Sequence, residues 1–212
     1  MAARAIATLG LMVGFGAIIL QAVLSFPVRL EQGRGLLDAT IWFFTYFTIL
    51  TNLMLVLIYL SVLVGWRWLG WWRSPVTRAM MAAAIALVLG FYHVVLSKLW
   101  APQGAFLLAD TVLHYVTPAL YILWWLLFQP KGSLRWGDIG WMLVPPAIWL
   151  AWTMLRGAVV NEYPYPILEA HRLGYGAVAL NILVVLAILV VLFVTTVGID
   201  RLAARSKAAP GS

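Results

Sequence analysis

The sequence predicts an all-α polytopic membrane protein, a bundle of six transmembrane helices spanning residues 1–202, and three observations carry that prediction. The chain has 212 residues, 64% of them hydrophobic and only 10% charged, with a mean hydropathy of +0.97. A soluble domain would carry about a quarter charged residues. Apolar runs long enough to cross a hydrocarbon core, about 20 residues each, occur six times. The charges and turn formers gather in the gaps between those runs. There is no cysteine, which excludes a disulfide framework and a thiolate metal site. The formal charge of +7 comes from basic residues scattered singly among the loops, so it reports membrane topology and predicts no nucleic-acid partner.

The first span covers 5–26, after Met1-Ala2-Ala3-Arg4. It exceeds the ~7–15-residue apolar core of a signal peptide, and Pro27-Val28-Arg29 follows where a small-residue cleavage site would be needed, so it is read as retained. Further spans are expected at 39–65, 76–98, 105–128, 138–155 and 173–198. The fifth is the weakest, because Pro145-Pro146 should break or kink it. Residues 203–212 are small, basic and polar, and are expected to form a disordered cytoplasmic tail. On alternate sides the basic residues divide into nine (Arg4, Arg67, Arg73, Arg78, Lys131, Arg135, Arg201, Arg205, Lys207) and five (Arg29, Arg34, Lys98, Arg156, Arg172). The excess predicts that both termini are cytoplasmic. The two three-span halves share no motif, which argues against an inverted-repeat transporter.

Polar residues interrupt these spans, and hydrocarbon penalises unsatisfied polar groups enough that such residues face the protein interior. Thr45, Thr48, Thr51 and Asn52 fall in span two, His93 near the end of span three, and Asp110 and His114 in the first half of span four. Thr48 and His114 each lie about nine residues into spans of the same direction, ~14 Å along the helix. His93 approaches that level from the other side. Thr45, Thr48 and Asn52 share a helical face by their i, i+3, i+7 spacing. Asp110 and His114 are i, i+4, so the carboxylate can orient the imidazole and stabilise its protonated form. Thr117 and Tyr121 continue that stripe, with Pro118 loosening the helix between them. The plain alternatives are threonines bonded to their own i−4 carbonyls and an asparagine joining two helices.

The segment Asn161-Glu162-Tyr163-Pro164-Tyr165-Pro166-Ile167-Leu168-Glu169-Ala170-His171 precedes span six. Its Tyr-Pro pairs force extended backbone. It reads either as an interfacial anchor or as a lid over a cavity in the outer leaflet, with Glu169 near the mouth. Trp66, Trp68, Trp71 and Trp72 are read as interface anchors. His93, His114, Asp110 and Glu169 could supply nitrogen and oxygen ligands, but no compact ligand spacing joins them, so neither metal nor other cofactor is expected.

Three segments in order, Tyr46-Phe47-Thr48-Ile49-Leu50-Thr51-Asn52-Leu53, His114-Tyr115-Val116-Thr117-Pro118-Ala119-Leu120-Tyr121-Ile122-Leu123 and Tyr165-Pro166-Ile167-Leu168-Glu169, resemble the androgen-induced protein family of six-span membrane hydrolases and its bacterial relatives. The resemblance extends along essentially the whole chain. It implies a multi-pass protein of a bacterial inner membrane that hydrolyses fatty acid esters of hydroxy fatty acids. It also implies Thr48 as nucleophile and His114 as base. Animal members place the threonine three residues before the asparagine, whereas Thr48 precedes Asn52 by four, which keeps Thr51 as the other candidate. Asn52 is the expected oxyanion donor, Asp110 the group behind the base, and His93 a wall or alternative base. Thr51, Tyr121, Tyr165 and Glu169 complete the expected binding or lid set. The rival reading is a small-molecule or proton-coupled transporter or channel with His93, Asp110 and His114 lining its path.

Overall fold

Six apolar stretches pack as antiparallel helices in the computed structural model, which describes residues 1–208. The helices are α1 (Ala2–Glu31), α2 (Leu36–Thr45), α3 (Phe47–Leu63), the short α4 (Gly70–Arg73), α5 (Pro75–Val94), α6 (Gly104–Thr111), α7 (Thr117–Phe128), α8 (Asp138–Val160), the short α9 (Ala170–Leu173) and α10 (Tyr175–Ala208). No strand occurs among the described residues. Long apolar helices in this number make the chain a multi-pass membrane protein.

The ends of the bundle are fixed by polar contacts. At one end, the Arg4 guanidinium donates to the Leu63 carbonyl at 3.1 Å, and Trp124 Nε1 to the Ala3 carbonyl at 3.1 Å. The Asp200 carboxylate there accepts the Gly132 and Leu134 amides at 2.9 and 3.0 Å, bringing the end of α10 beside the α7–α8 loop. At the other end, Arg29 joins Asp38 at 2.8 Å and Glu162 at 2.5 Å. Both termini therefore share one end.

α5 is the central helix: 56% of its apolar window is buried, against 28% for α1 and 11% for α8. Its alanines Ala79, Ala82, Ala83 and Ala84 are small enough for neighbours to approach closely. α1 comes similarly close to α3 because Gly10 faces the Tyr59 ring, which a Cβ at residue 10 would overlap. Tyr59, Tyr121 and Trp124 then form an aromatic core, with Tyr59 ring centroids 5.7 and 5.3 Å from the other two. α8 touches mainly α10 and α5, which leaves a groove along its inner side.

Two helices depart from regularity, and both departures build the site. Span two is not continuous: α2 and α3 meet at an 80° bend. Tyr46, at φ −72° and ψ 124°, is the extended residue between them. Span four keeps its direction but contains a π-helical turn, Val112–Val116, between α6 and α7. Pro118 has no amide to donate, and its ring crowds the carbonyl of His114 four residues back; the wider turn relieves that conflict.

Elsewhere the boundaries shift. α8 runs uninterrupted through Pro145 and Pro146, where a break or kink is expected from sequence, and reaches Val160, so Arg156 lies on the helix. α10 continues through Ala208, beyond the expected start of the tail at 203. Residues 209–212 of that expected tail lie outside the described residues.

Candidate functional site

The bend at Tyr46 decides which threonine is available. A threonine inside a helix usually returns its hydroxyl to the carbonyl one turn back. Thr45 does so, donating to Ile41 at 2.7 Å, and Thr51 donates to Phe47 at 2.8 Å and Thr48 at 3.1 Å. Thr48 lies in the first turn of α3, so its preceding turn belongs to another helix at 80°. Its hydroxyl is directed out of α3 instead, with Oγ1 3.3 Å from His114 Nε2 and 3.4 Å from the Tyr165 hydroxyl.

His114 is held on three sides. Its Nδ1 is 2.9 Å from the Asp110 carbonyl and 3.3 Å from Asp110 Oδ1. Both of those atoms only accept, so Nδ1 carries the proton and Nε2 presents its lone pair to the Thr48 hydroxyl. Tyr92 stacks on the imidazole with centroids 3.9 Å apart and planes 17° apart. The same tyrosine donates its hydroxyl to Asp110 Oδ2. Thr48, His114 and Asp110 thus form a hydroxyl–imidazole–carboxylate relay across two spans, with Tyr92 of a third clamping ring and carboxylate together.

The start of α3 supplies donors. The first amides of a helix have no intrahelical acceptor. Here the Thr48 amide donates to the Tyr165 hydroxyl oxygen at 3.3 Å, and the Phe47 amide also faces that oxygen. A phenol oxygen therefore occupies the place where an anionic oxygen would be held by a helix N-terminus. The other side of the bend is satisfied by Trp149 of α8, whose Nε1 donates to the Thr45 carbonyl at 2.8 Å.

Asn52 has a different task from the expected one. Its side-chain amide donates to the Thr48 carbonyl at 2.8 Å and the Leu113 carbonyl at 3.1 Å, and its Oδ1 accepts the Thr117 hydroxyl. Both donor hydrogens are committed to backbone, so Asn52 ties α3 to the π turn and is no oxyanion donor. Tyr121 is a correction too: it is fully buried in the aromatic core and donates to the Arg78 carbonyl at 3.0 Å, away from the site. Glu169 pairs with Arg172 at 2.6 Å and lines neither cavity beside Thr48. His93 points outward, its Nδ1 3.2 Å from the Tyr115 hydroxyl, and its neighbour Tyr92 forms the wall instead. Of the expected binding and lid residues, Tyr165 alone brings its side chain to the Thr48 hydroxyl. Tyr92 and Trp149 were not singled out by the sequence, and the only hint of Tyr92 was its place next to His93.

Two cavities flank the relay. One, of about 310 Å³, lies between α3, α5, α8 and α10 and is walled almost wholly by hydrocarbon, including Leu87, Leu143, Leu150 and Leu189. The other, of about 480 Å³, has Asp110 and His114 at its base and Gln21, Ser25, Arg29 and Gln32 above them. Thr48, Leu96 and Tyr165 border both. Volumes of this size suit small-molecule ligands.

The segment carrying Tyr165 is latched to the bundle by charge. Glu162 binds Arg29 at 2.5 Å, Arg34 at 3.0 Å and Arg156 at 3.2 Å. Burial alone would push its carboxyl up, but the Arg29 guanidinium, with Arg156 and Arg34, reverses this and holds it below the ordinary 4.5. A depressed carboxyl stabilises the fold fully above its unfolded value, and that contribution disappears as the pH falls through the lower folded value. Glu162→Gln is therefore expected to cost on the order of 1–3 kcal/mol at pH 7, and its deficit relative to wild type should shrink as the pH drops below about 4.5. Thermal unfolding followed by tryptophan fluorescence at the two pH values checks this; equal deficits at both would rule out the ionic latch.

No family model matches the chain, and neither does any curated protein or solved structure at the level required for a match.

Proposed function

We propose that this protein is an intramembrane lipid ester hydrolase in which Thr48 is the nucleophile, His114 the base and Asp110 the group that orients it. The observation that carries the reading is the 3.3 Å contact between Thr48 Oγ1 and the unprotonated nitrogen of an imidazole whose other nitrogen faces Asp110. A threonine hydroxyl is a weak nucleophile and needs such a base.

Thr48 Oγ1 attacks the ester carbonyl carbon while His114 Nε2 takes the hydroxyl proton. The carbonyl π pair moves onto its oxygen, which the Thr48 and Phe47 amides stabilise once the Tyr165 hydroxyl has moved aside. The carbon–oxygen bond to the alcohol then breaks, and His114 returns its proton to the departing oxygen. Water attacks the acyl-threonine, gives a proton to His114, and releases the carboxylic acid as the threonine hydroxyl is restored. Asp110 stabilises the imidazolium in both halves of the cycle.

The residue resemblance to the androgen-induced protein family supports fatty acid esters of hydroxy fatty acids as substrates. The Lys and Arg distribution supports both termini on the cytoplasmic side, with the relay in the outer half, and the resemblance to that family's bacterial relatives supports a bacterial inner membrane. The transport alternative requires His93, Asp110 and His114 in one file, whereas His93 pairs with Tyr115 on the outer surface. Purified protein in detergent should hydrolyse a lipid ester with no ion gradient and react with a fluorophosphonate. Gradient-driven flux in proteoliposomes without any ester turnover would reject the hydrolase.

A further inference from the structure

We infer that an ester substrate is divided at Thr48, with its acyl chain in the apolar cavity between α3, α5, α8 and α10 and its alcohol in the cavity above His114. The inference rests on Thr48 acting as nucleophile and extends that reading to the orientation and class of the substrate. In the tetrahedral intermediate the former carbonyl carbon carries four groups: Thr48 Oγ1, the oxyanion, the leaving oxygen and the acyl chain. Two directions are set by the protein. The oxyanion points to the start of α3, where the Thr48 and Phe47 amides face the Tyr165 hydroxyl. The leaving oxygen must come within hydrogen-bond reach of His114 Nε2, which has to protonate it. His114 borders only the larger cavity, so the alcohol lies there. The acyl chain takes the remaining direction, into the smaller cavity.

The linings agree with that division. Apart from Thr48 and Tyr165, which it shares, the smaller cavity offers hydrocarbon and one indole, and that indole N–H already donates to the Thr45 carbonyl. No free polar group remains to favour an alcohol. Ala147 and Leu186 on its rim are exposed on the flank of the bundle, so a long chain can continue into lipid. The larger cavity rises past Gln21, Ser25 and Gln32 to Arg29, at the bundle end opposite the termini. These side chains can solvate an alcohol with hydrogen-bonding groups, and water for deacylation reaches His114 by the same route. The substrate class is therefore a long-chain acyl ester of a polar alcohol, whose fatty acid leaves sideways into the membrane and whose alcohol leaves toward the aqueous end.

The test keeps the alcohol constant and varies the acyl chain, using p-nitrophenyl acetate and p-nitrophenyl laurate with purified full-length protein. Ala147→Phe fills the smaller cavity from its rim and is expected to lower the laurate-to-acetate ratio of kcat/KM about tenfold or more. Leu186→Trp, across the groove on α10, should do the same and stands in if the first variant does not fold. Leu99→Trp, at the larger cavity, is expected to leave the ratio within about twofold, since both esters share one alcohol. A ratio unmoved by the folded α8 or α10 variant, or moved by Leu99→Trp instead, overturns the division while leaving the hydrolase intact. Failure of wild-type protein to hydrolyse either ester overturns the hydrolase reading, and the division with it.

Discussion

Thr48→Ala is expected to lower kcat/KM for ester hydrolysis by ~10³-fold or more and to abolish fluorophosphonate labelling. The size of the loss follows from the absence of any substitute. Thr45 and Thr51 hold their hydroxyls against backbone carbonyls at 2.7 and 2.8 Å. The Tyr165 hydroxyl is the other oxygen close to Thr48, and it receives the Thr48 amide instead of approaching His114. Thr48→Ser keeps the hydroxyl and its place beside the base, so it should retain activity within about an order of magnitude and still be labelled. Thr51→Ala removes a hydroxyl spent on the Phe47 and Thr48 carbonyls, and is expected to change stability more than turnover. Activity measured in detergent, with thermal unfolding as a control for folding, separates these cases. Full turnover and labelling in Thr48→Ala, or their loss in Thr51→Ala alone, would move the nucleophile to Thr51.

The spans were legible because membrane burial writes itself into composition: runs of apolar residues cannot be disguised, and the charges that end them cannot enter hydrocarbon unpaired. The Asp110–His114 pair of span four was legible for a similar reason, since i, i+4 spacing on a helix puts the carboxylate beside the imidazole. What the sequence could not disclose was the bend at Tyr46. The run Phe44-Thr45-Tyr46-Phe47 contains neither proline nor glycine. The break is held from outside, by Trp149 donating to the Thr45 carbonyl and Tyr165 receiving the Thr48 amide, both more than a hundred residues away. A continuous helix would return the Thr48 hydroxyl to its own backbone and leave Asn52 as the only side-chain donor nearby. The bend frees the hydroxyl, exposes two backbone amides, and releases Asn52 to bind the Leu113 carbonyl at the π turn. The spacing of Thr45, Thr48 and Asn52 on one face was correct arithmetic applied to a helix that ends between the first two.

Replacing the proposed base should separate two contributions that the relay combines. His114→Ala removes the proton acceptor and is expected to lower kcat/KM by ~10³-fold or more, with labelling lost as in Thr48→Ala. Asp110→Asn is expected to cost less, about 10–100-fold, or ~1.4–2.7 kcal/mol of transition-state stabilisation. In serine proteases the corresponding change costs ~10⁴-fold because it lets the histidine adopt the wrong tautomer. Here the Asp110 backbone carbonyl, at 2.9 Å from Nδ1, is the nearer acceptor, and substitution of the side chain leaves it in place. The tautomer therefore survives, and only the charge that stabilises the imidazolium is lost. Tyr92→Phe tests the clamp: it keeps the ring stacked on the imidazole but removes the hydroxyl that donates to Asp110. Its expected loss is below that of Asp110→Asn, because the carboxylate remains charged and beside Nδ1. Steady-state kinetics on one ester across the three variants orders the effects. Equal losses in Asp110→Asn and His114→Ala would mean that the carboxylate alone holds the ring, and an active His114→Ala would remove the base from the mechanism altogether.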